Sequence, residues 1–423
     1  MGQEYQDFEG DLDCLEGHVQ DDLRQIGKAG MQRVLQQRKW GHQGNSLPCD
    51  CGGRQRFIGY RPRWVVTLLG TMRLHRAYYH CSGCGTSSVP YDRASGLGGG
   101  HLSNGLAAAV SLLAVDISFE NACRKTEKLL GIKTDDNAAV KAVEHAGAEL
   151  MARQREAIEQ FQKNGQVAEP PESPKRLYVS SDGAMAPIRP HPGEGKRKDS
   201  IEWREVKCAS AWWEDGPEDK PIRHQRYRGR IEPAASFGWT WWLLAAQCGL
   251  RGALEVVVLG DGAVWIWNQA ARFFRGAIQI LDWYHAMEHV WACGAGLYGQ
   301  GTAQSERWVK QMETIMWESG GAALLKRLRQ FQRRRLEPCE ALEDLIGYIE
   351  PNVARMDYPT HRAAGRKIGS GPIESACKQL VTARLKQAGM RWTVAGAEQT
   401  LALRCCWLNG DWDAFWQSKP LAA

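Results

Sequence analysis

The sequence has no long hydrophobic run and no apolar leader. Its longest apolar stretches, Gly105–Val115 and Trp239–Leu250, reach about 12 residues, whereas a membrane-spanning helix needs about 20. The N-terminal segment is acidic and lacks the apolar centre of a signal peptide. We therefore expect a cytoplasmic protein with no membrane partner.

The chain also has little excess of positive over negative charge. The 54 Lys and Arg residues oppose 48 Asp and Glu, and a net charge of +6 is too small to identify a polyanionic partner by itself. Apolar residues make up 43% and charged residues 24% of the chain, as in ordinary globular proteins, which excludes wholesale disorder. A length of 423 residues indicates two or three domains.

Cysteine, in contrast, is plentiful. The chain has 13, an odd number, which favours reduced thiols and a metal site over disulfides. Two pairs followed by glycine, Cys49/Cys51 and Cys81/Cys84, flank strand-like sequence at 64–79. Four thiolates on two tight turns suit tetrahedral Zn²⁺, as in a zinc ribbon. The first pair is C-x-C instead of the usual C-x-x-C.

Two other interpretations of the cysteine pairs remain open. His80 or His75 would replace Cys49 as a ligand if that thiol does not reach the ion. Alternatively, the four cysteines are buried and bind nothing. A zinc ion here would serve folding and DNA contact, because a structural zinc site is closed to substrate.

Residues 102–163 have a helical pattern. Two short helices are predicted at Ser103–Val115 and Phe119–Leu130, Gly131 breaks the chain, and Thr134 or Asp135 can cap a long third helix. This order resembles a helix-turn-helix, whose second helix enters the major groove with its N-terminal residues. The predicted DNA contacts are then Lys133, Asn137 and Lys141; an ordinary helical bundle is the alternative.

A Pro- and Glu-rich segment at 163–176 is the best linker in the chain. Strand-like runs follow it, and from Asp282 onward the pattern is helical. The strand-like runs are 177–187, 202–213, 239–246 and 253–263.

Three acids occupy positions that suggest a site. Asp182 and Asp261 each end an apolar run predicted as a strand and precede glycine, so their carboxylates should meet at one sheet edge. Glu374 follows Pro372, which fits the first turn of a helix. Three converging carboxylates are typical of a two-Mg²⁺ site for phosphoryl transfer. A single Asp-Gly at a strand end is more often a turn.

Two further features support a site around these acids. Asp282 and His285 have a D-x-x-H spacing that places both on one helical turn near Asp261, although a buried structural histidine is an alternative. Residues 352–404 contain nine Lys and Arg against three acids, as expected beside a phosphodiester. On this stretch Glu374, Lys378 and Lys386 are expected on nearly one helix face. The candidate DNA contacts here are Lys378, Arg384, Lys386 and Arg391.

The chain resembles DDE transposases of bacterial insertion sequences, specifically the Kra-type group related to Mutator-like transposases. The resemblance extends from the Cys pairs to about Trp412. It is carried by the segments SSDGA (180–184), LGDGAVWIW (259–267), LDWYHAMEH (281–289) and GSGPIESACKQLVTARLKQAGMRW (369–392).

The resemblance implies a fold and roles for individual residues. It implies an α/β, ribonuclease-H-like catalytic domain with a helical insertion at about 286–365. By the same likeness Asp182, Asp261 and Glu374 bind Mg²⁺ or Mn²⁺, and Asp282 and His285 are auxiliary catalytic residues.

We expect four segments. They are a helical leader (1–45), a zinc-ribbon-like module (46–98), a helical DNA-binding module (99–165) and the catalytic domain (175–415). The expected function is binding of double-stranded DNA at inverted-repeat ends, followed by cleavage and transfer to target DNA in the bacterial nucleoid. A homo-oligomer is expected because two ends must be joined. The alternatives are a non-catalytic DNA-binding relative and a carbohydrate-active hydrolase that uses the 18 Trp residues as sugar platforms.

Overall fold

The structure is a computed structural model that describes residues 11–37, 39–94, 97, 100–190, 200–215, 222–335 and 337–418. The chain divides into two compact units. One unit comprises Met1–Ala146 and Gly410–Ala423, and the other comprises Gly147–Asn409. Among the described residues, no helix has both the length and the apolar character that crossing a bilayer requires.

The first unit combines one sheet with helices. The sheet is antiparallel and has four strands in sequence order, β1 (Ser46–Pro48), β2 (Arg54–Thr67), β3 (Gly70–His80) and β4 (Ser87–Ser88). The helices are α1 (Leu12–Gln37), α2 (Pro90–Ala94), α3 (Asn104–Ala114), α4 (Phe119–Leu130), the first part of α5 (Asp136–Asn164) and, at the other end of the chain, α15 (Trp412–Gln417).

The three helices predicted from the sequence here are confirmed, together with their boundaries. The Ser103 hydroxyl accepts a hydrogen bond from the backbone N–H of Leu106 at the start of α3. Gly131 ends α4 in the left-handed conformation with φ +63°, which costs glycine little. The Asp135 carboxylate accepts from the N–H of Ala138 and so caps α5.

The second unit is built on a mixed sheet of five strands. They are β5 (Arg176–Ile188), β6 (Glu202–Asp215), β7 (Ile222–Arg230), β8 (Glu255–Gly260) and β9 (Ile278–Leu281), in the order β7-β6-β5-β8-β9. The pairs β7–β6 and β6–β5 are antiparallel, whereas β5–β8 and β8–β9 are parallel.

The described helices of this unit pack against the sheet or against one another. They are α6 (Ala234–Ala246), α7 (Val264–Phe273), α8 (Trp283–Tyr298), α9 (Ala303–Arg333), α10 (Glu340–Ile349), α11 (Tyr358–Ala363), α12 (Gly371–Cys377), α13 (Ala383–Leu385) and α14 (Val394–Leu408). A π-helical turn, Lys378–Thr382, joins α12 to α13. The core includes Leu177, Val258 and Ile280 from the strands and Trp241 and Leu244 from α6. The helical pattern expected at 286–365 is confirmed.

One predicted strand is a helix. The run 239–246 lies in α6. Trp241 and Leu244 are fully buried, because α6 is apolar on nearly every side. A short run that is apolar throughout shows no periodicity, and so it fits a buried strand and a buried helix equally well.

The prediction that Asp182 ends its strand is also wrong. Strand β5 continues to Ile188, because β6 pairs with it from Tyr178↔Trp212 to Ile188↔Glu202. Gly183 does not turn the chain. Instead, the side chain of Glu205 occupies the space where a Cβ at Gly183 would lie.

Candidate functional site

Three aspartates lie at one level across three neighbouring strands. Ser180 pairs with Leu259, so Asp182 and Asp261 are each two residues beyond a matched pair of parallel strands. Gly260 pairs with Leu281, so Asp261 and Asp282 each follow a matched pair directly. Because parallel strands advance together, the register places Asp182, Asp261 and Asp282 at the same edge of the sheet.

Asp182 is half-buried. Burial raises the pKa of its carboxyl, and the nearby charge of Asp261 raises it further. Two donors offset part of this cost: the Gly183 N–H lies 2.6 Å from Oδ1, and the Cys377 Sγ lies 3.6 Å from Oδ2. A bound cation would stabilise the ionised form of this carboxyl.

Asp261 follows β8 directly, as predicted. Its Oδ1 accepts a hydrogen bond from the Ala263 N–H at 2.9 Å, and Oδ2 has no hydrogen-bond partner among the described residues. The Tyr348 hydroxyl of α10 donates to the Asp261 carbonyl oxygen at 2.7 Å. Gly262 has φ +101°, and a Cβ there would lie 2.8 Å from the Tyr348 ring, so this position requires glycine. Helix α10 therefore holds the Asp261 turn.

Asp282 is fully buried, and both of its carboxylate oxygens are engaged by backbone donors. Oδ1 accepts from the His285 N–H at 2.9 Å and caps α8, while Oδ2 accepts from the Ser370 N–H. Ser370 directly precedes α12, the helix that carries Glu374. Asp282 thus holds α12 at the sheet edge, and both of its carboxylate oxygens already accept backbone hydrogen bonds.

His285 lies close to the acids, which act on the pKa of its imidazole. Burial alone lowers the pKa of its imidazole, but the carboxylates of Asp282, Glu288 and Asp261 outweigh burial and raise the pKa. Its Nδ1 lies 3.2 Å from Glu288 Oε2. The D-x-x-H spacing therefore does place both residues on the first turn of one helix, as predicted.

Glu374 lies in the first turn of α12, after Pro372, as predicted. The helix is fixed from two sides. The Gln225 amide donates to the Pro372 carbonyl at 2.8 Å, and Cys377 contacts Asp182. Since Glu374 and Cys377 are three residues apart, they share a face of α12. Glu374 is therefore one helical turn from a residue that touches Asp182, and its carboxylate has no hydrogen-bond partner in the described part of the chain.

Ion pairs of Glu255 hold the segment before α12. Glu255 accepts hydrogen bonds from Arg366, whose Nη2 lies 2.7 Å from Oε2, and from Arg176. These bonds, first that of Arg366, lower the pKa of the Glu255 carboxyl against the opposing effect of burial. Arg176 also donates to the carbonyls of Gly365 and Ala364. The start of β5 is thereby tied to the chain that leads into α12.

The acids do not form a closed ligand cluster. Within the described residues, the only group of three or more Cys, His, Asp or Glu whose ligand atoms all lie within 4.8 Å of one another is the cysteine quartet. Mutual repulsion keeps carboxylates apart without cations between them. The hard oxygen donors of Asp182, Asp261 and Glu374 suit Mg²⁺ or Mn²⁺ in chemistry.

The cysteine quartet has the geometry that zinc requires. Cys49 Sγ lies 3.5 Å from Cys84 Sγ, and Cys51 Sγ lies 3.7 Å from Cys81 Sγ. A tetrahedral site with Zn–S bonds of about 2.3 Å places its sulfurs roughly 3.8 Å apart. The quartet therefore fits Zn²⁺ despite the C-x-C spacing. No histidine belongs to this group, and His80 is hydrogen-bonded to Ser87 instead.

The pKa values of the thiols in the quartet also favour binding of a cation. Hydrogen bonds with Thr86 lower the pKa of Cys84 to about 6. For Cys51, a backbone hydrogen bond from Gly53 lowers the pKa, but the neighbouring thiols outweigh it and raise the pKa to about 12. The four sulfurs thus resist carrying more than one negative charge together, and a divalent cation would remove that resistance.

Most of the predicted DNA contacts are accessible. Lys133, Asn137 and Lys141 are exposed at the start of α5 and just before it. The exposed carboxylates of Asp135 and Asp136 lie in the same segment and would repel a DNA phosphate. Lys378, Lys386 and Arg391 are also exposed.

Two predictions about the basic segment are wrong. Arg384 is fully buried, with its guanidinium 4.6 Å from the Trp392 ring centroid, so it does not face a ligand. Lys386 does not share a face with Glu374 and Lys378, because the π-helical turn shifts the helix register and Lys386 is the C-cap of α13.

Sequence analysis missed three residues that hold the site. They are Tyr348, Gln225 and Cys377. For Cys377 a signal was present, because it is three residues after Glu374 in a predicted helix. Tyr348 and Gln225 are distant in sequence from the residues they contact, and no local pattern identifies them.

Comparison with known proteins gives little further information. None of the models of known protein families matches the chain, and no curated protein matches it. Among solved structures, the chain is similar to the Drosophila P element transposase strand transfer complex, with 8% sequence identity. The match covers 75% of this chain and 81% of that chain at a TM-score of 0.24. A likeness of this size carries no argument about fold or function.

Proposed function

We propose that the protein is a DDE transposase of the Kra-type group related to Mutator-like enzymes. It binds the terminal inverted repeats of an insertion sequence in the bacterial cytoplasm, cuts the DNA there and joins the freed ends to target DNA. The observation that carries this proposal is the shared edge of Asp182, Asp261 and Asp282, with α12 tied to it. Glu374 lies one helical turn from Cys377, which contacts Asp182.

The sheet supports a ribonuclease-H-like catalytic domain. Three antiparallel strands are followed by two parallel ones, and the acids come from the first strand and from the end of β8. The helices at about 286–365 form the insertion, and Tyr348 connects it to Asp261. The catalytic domain is proposed at 175–415, after the segments 1–45, 46–98 and 99–165.

Each site residue has a distinct role in this proposal. Asp182, Asp261 and Glu374 hold Mg²⁺ or Mn²⁺. When bound, such ions would supply activation of water or of a 3′-hydroxyl and stabilisation of the leaving oxygen. His285 serves as an auxiliary residue beside the acids, which raise the pKa of its imidazole, and Asp282 keeps α12 in place.

DNA binding is assigned to exposed cations. Lys133, Asn137 and Lys141 would contact the inverted repeat, while Lys378, Lys386 and Arg391 would contact strands near the acids. Four cysteines, Cys49, Cys51, Cys81 and Cys84, would hold a structural Zn²⁺. A homo-oligomer is proposed, because two DNA ends must be processed together.

The hydrolase alternative has lost part of its basis. Several of the Trp residues that would form sugar platforms are in the core, among them Trp241 and Trp267. A non-catalytic DNA-binding protein remains as the alternative outcome of the test below.

The test is cleavage of a labelled duplex that carries the gene's own flanking inverted repeats, in Mg²⁺ and in Mn²⁺. Wild type should nick at the repeat boundary, whereas Asp261→Asn and Glu374→Gln should lose more than the roughly 10–100-fold that removal of an outer-shell partner costs. Glu318→Gln, which changes an exposed acid on α9, should cleave like wild type. Tight binding with no cleavage in either metal would leave a DNA-binding protein and remove the catalytic assignments.

A further inference from the structure

Helix α1 is accessible along its whole length. None of residues 12–37, all of which the structure describes, is buried. Leu12 is 76% exposed and Leu23 56%, and Ile26 and Val34 are exposed as well. Several large apolar side chains exposed on one element are typical of an interaction site. No role has been assigned above to this surface.

The apolar side chains of α1 lie on one stripe of the helix. Leu12, Leu23 and Val34 follow one another at intervals of 11 residues. Because 11 residues make just over three helical turns, residues at this spacing remain on one face. The spacing of the other apolar residues places them on the same face, with Leu15 and Val19 half-buried. The stripe consists of Leu12, Leu15, Val19, Leu23, Ile26 and Val34.

A different side of α1 packs within its own unit. The Arg24 guanidinium lies beside Gly131, where an added Cβ would be 2.6 Å from Nη1. Met31 and Leu35 are half-buried on the same side of the helix as Arg24. This side is turned by roughly a third of a revolution from the stripe. The stripe is therefore not the surface by which α1 is attached to its unit.

Charge is divided between the two ends of α1. Residues 11–23 contain five acids and neither Lys nor Arg, whereas residues 24–37 contain three Lys and Arg and no acid. This order suits the dipole of the helix, but it also determines how two such helices can lie together. Side by side in parallel, like charges would face each other. In antiparallel orientation, the acidic half of each helix faces the basic half of the other.

The stripe has the same symmetry as the charge. Its ends, Leu12 and Val34, are equally distant from Leu23 along the chain. Two antiparallel stripes that are centred on Leu23 therefore cover each other completely. In this alignment Arg33, which borders the stripe, lies level with the acidic half of the second helix. A self-complementary surface of this kind is what a two-fold symmetric contact between identical chains requires.

We propose that α1 binds α1 of a second copy of this chain in antiparallel orientation, with the two stripes as the interface. Leu12 of each copy then packs near Val34 of the other, and the two Leu23 side chains meet at the two-fold axis. The proposal assigns a surface to the homo-oligomer proposed above. It rests on the helix itself and does not depend on DNA cleavage.

The test measures the dissociation constant of the full-length protein without DNA, by sedimentation equilibrium over a range of concentrations. Wild type should form a dimer. Leu23→Lys/Ile26→Lys places cations in the middle of the stripe and should raise the dissociation constant at least roughly 100-fold, because it removes four apolar side chains from the interface. The matched control, Gln25→Lys/Gln36→Lys, adds the same charge at exposed positions on another face of α1 and should dimerise like wild type.

A charge reversal tests the orientation. Arg33→Glu should weaken the antiparallel dimer at low salt, because the new carboxylate faces the acidic half of the second helix. The loss should shrink as salt is added, since salt screens exposed charges. In a parallel dimer residue 33 would face its own counterpart, and replacing one like-charged pair by another would leave the dissociation constant unchanged. Equal far-UV circular dichroism would show that the variants are folded.

Several results would overturn the α1 proposal. They are a wild type that is monomeric at every concentration, a stripe variant that dimerises like wild type, and a control that loses as much as the stripe variant. An unchanged Arg33→Glu dimer would refute the antiparallel orientation. Cleavage of the inverted-repeat duplex is scored separately. Dimerisation through the stripe without cleavage would support the interface and refute the proposed function, whereas cleavage by a wild type whose stripe variant still dimerises would refute the interface alone.

Discussion

Asp282 connects the sheet edge to the helix that carries Glu374, and its replacement by Asn separates this role from metal binding. Asparagine keeps an oxygen for the His285 N–H but presents an NH₂ group to the Ser370 N–H. Two donors then face each other in a fully buried site. Asp282→Asn should therefore keep the cap of α8 and lose the connection to α12.

The cost can be worked out from the two hydrogen bonds. Hydrogen bonds to a charged group contribute about 1.5–3 kcal/mol, and a buried N–H left unpaired costs about 1–3 kcal/mol. We expect Asp282→Asn to cost about 2 kcal/mol locally, which is roughly a 30-fold increase in opening of the segment at Ser370. Asp282→Ala should cost about 1 kcal/mol more, because it also removes the cap.

The assay is amide hydrogen exchange of the segment 368–371 in the presence of EDTA. Exchange at Ser370 should be about 30-fold faster in Asp282→Asn than in wild type, while amides of the cysteine module should be unaffected. If Asp282 were instead a metal ligand, removing its charge would relieve repulsion among the acids and slow exchange in EDTA. Unchanged or slower exchange in the Asn variant would refute the positioning role.

Three further predictions concern zinc, packing and pH. Cys51→Ser should abolish zinc binding, as measured by metal analysis of the purified protein. Cys14→Ser, which changes an exposed cysteine of α1, should retain zinc. Zinc retained by Cys51→Ser would refute the site. Gly147→Ala should lower the free energy of unfolding by about 1–3 kcal/mol, because its Cβ would collide with a backbone carbonyl of α14. Gly17→Ala is the control: its Cβ would meet open space, so this variant should be neutral or stabilising. Urea unfolding measures both. Glu255→Gln should lower the melting temperature more at pH 7 than at pH 3. The pKa of Glu255 is lowered in the folded protein, so its carboxylate stabilises the fold above the usual pKa of 4.5, and this stabilisation is lost as the pH falls through the folded value. An equal loss of melting temperature at both pH values would contradict this.

The sequence identified the elements with strong local signals. Gly131 and Asp135 mark helix ends through backbone geometry and a short-range hydrogen bond, and both effects depend only on neighbours in the chain. Asp261 was placed correctly, because β8 is a short apolar run followed by Asp-Gly. The helices after Asp282 were also predictable, because that stretch has a helical pattern.

The remaining features depend on contacts that no local pattern encodes. Strand β5 continues past Asp182 because β6 pairs along its whole length, and that pairing is a long-range property. The run 239–246 predicts a strand because it is apolar throughout, yet it forms helix α6, which is buried on nearly every side. Arg384 has the charge of a DNA contact, yet the fold uses it as a buried partner of Trp392.

In the proposed function Asp182, Asp261 and Glu374 bind the same metal ions. Iron-directed cleavage of the polypeptide tests this most directly: Fe²⁺ replaces Mg²⁺, and hydroxyl radicals made with ascorbate and peroxide cut the backbone near the ion. Wild type should be cut close to residues 182, 261 and 374, excess Mg²⁺ should suppress all three cuts, and Asp261→Asn should lose them together. Cuts that are absent from these segments, or that persist in Asp261→Asn, would contradict a shared metal site.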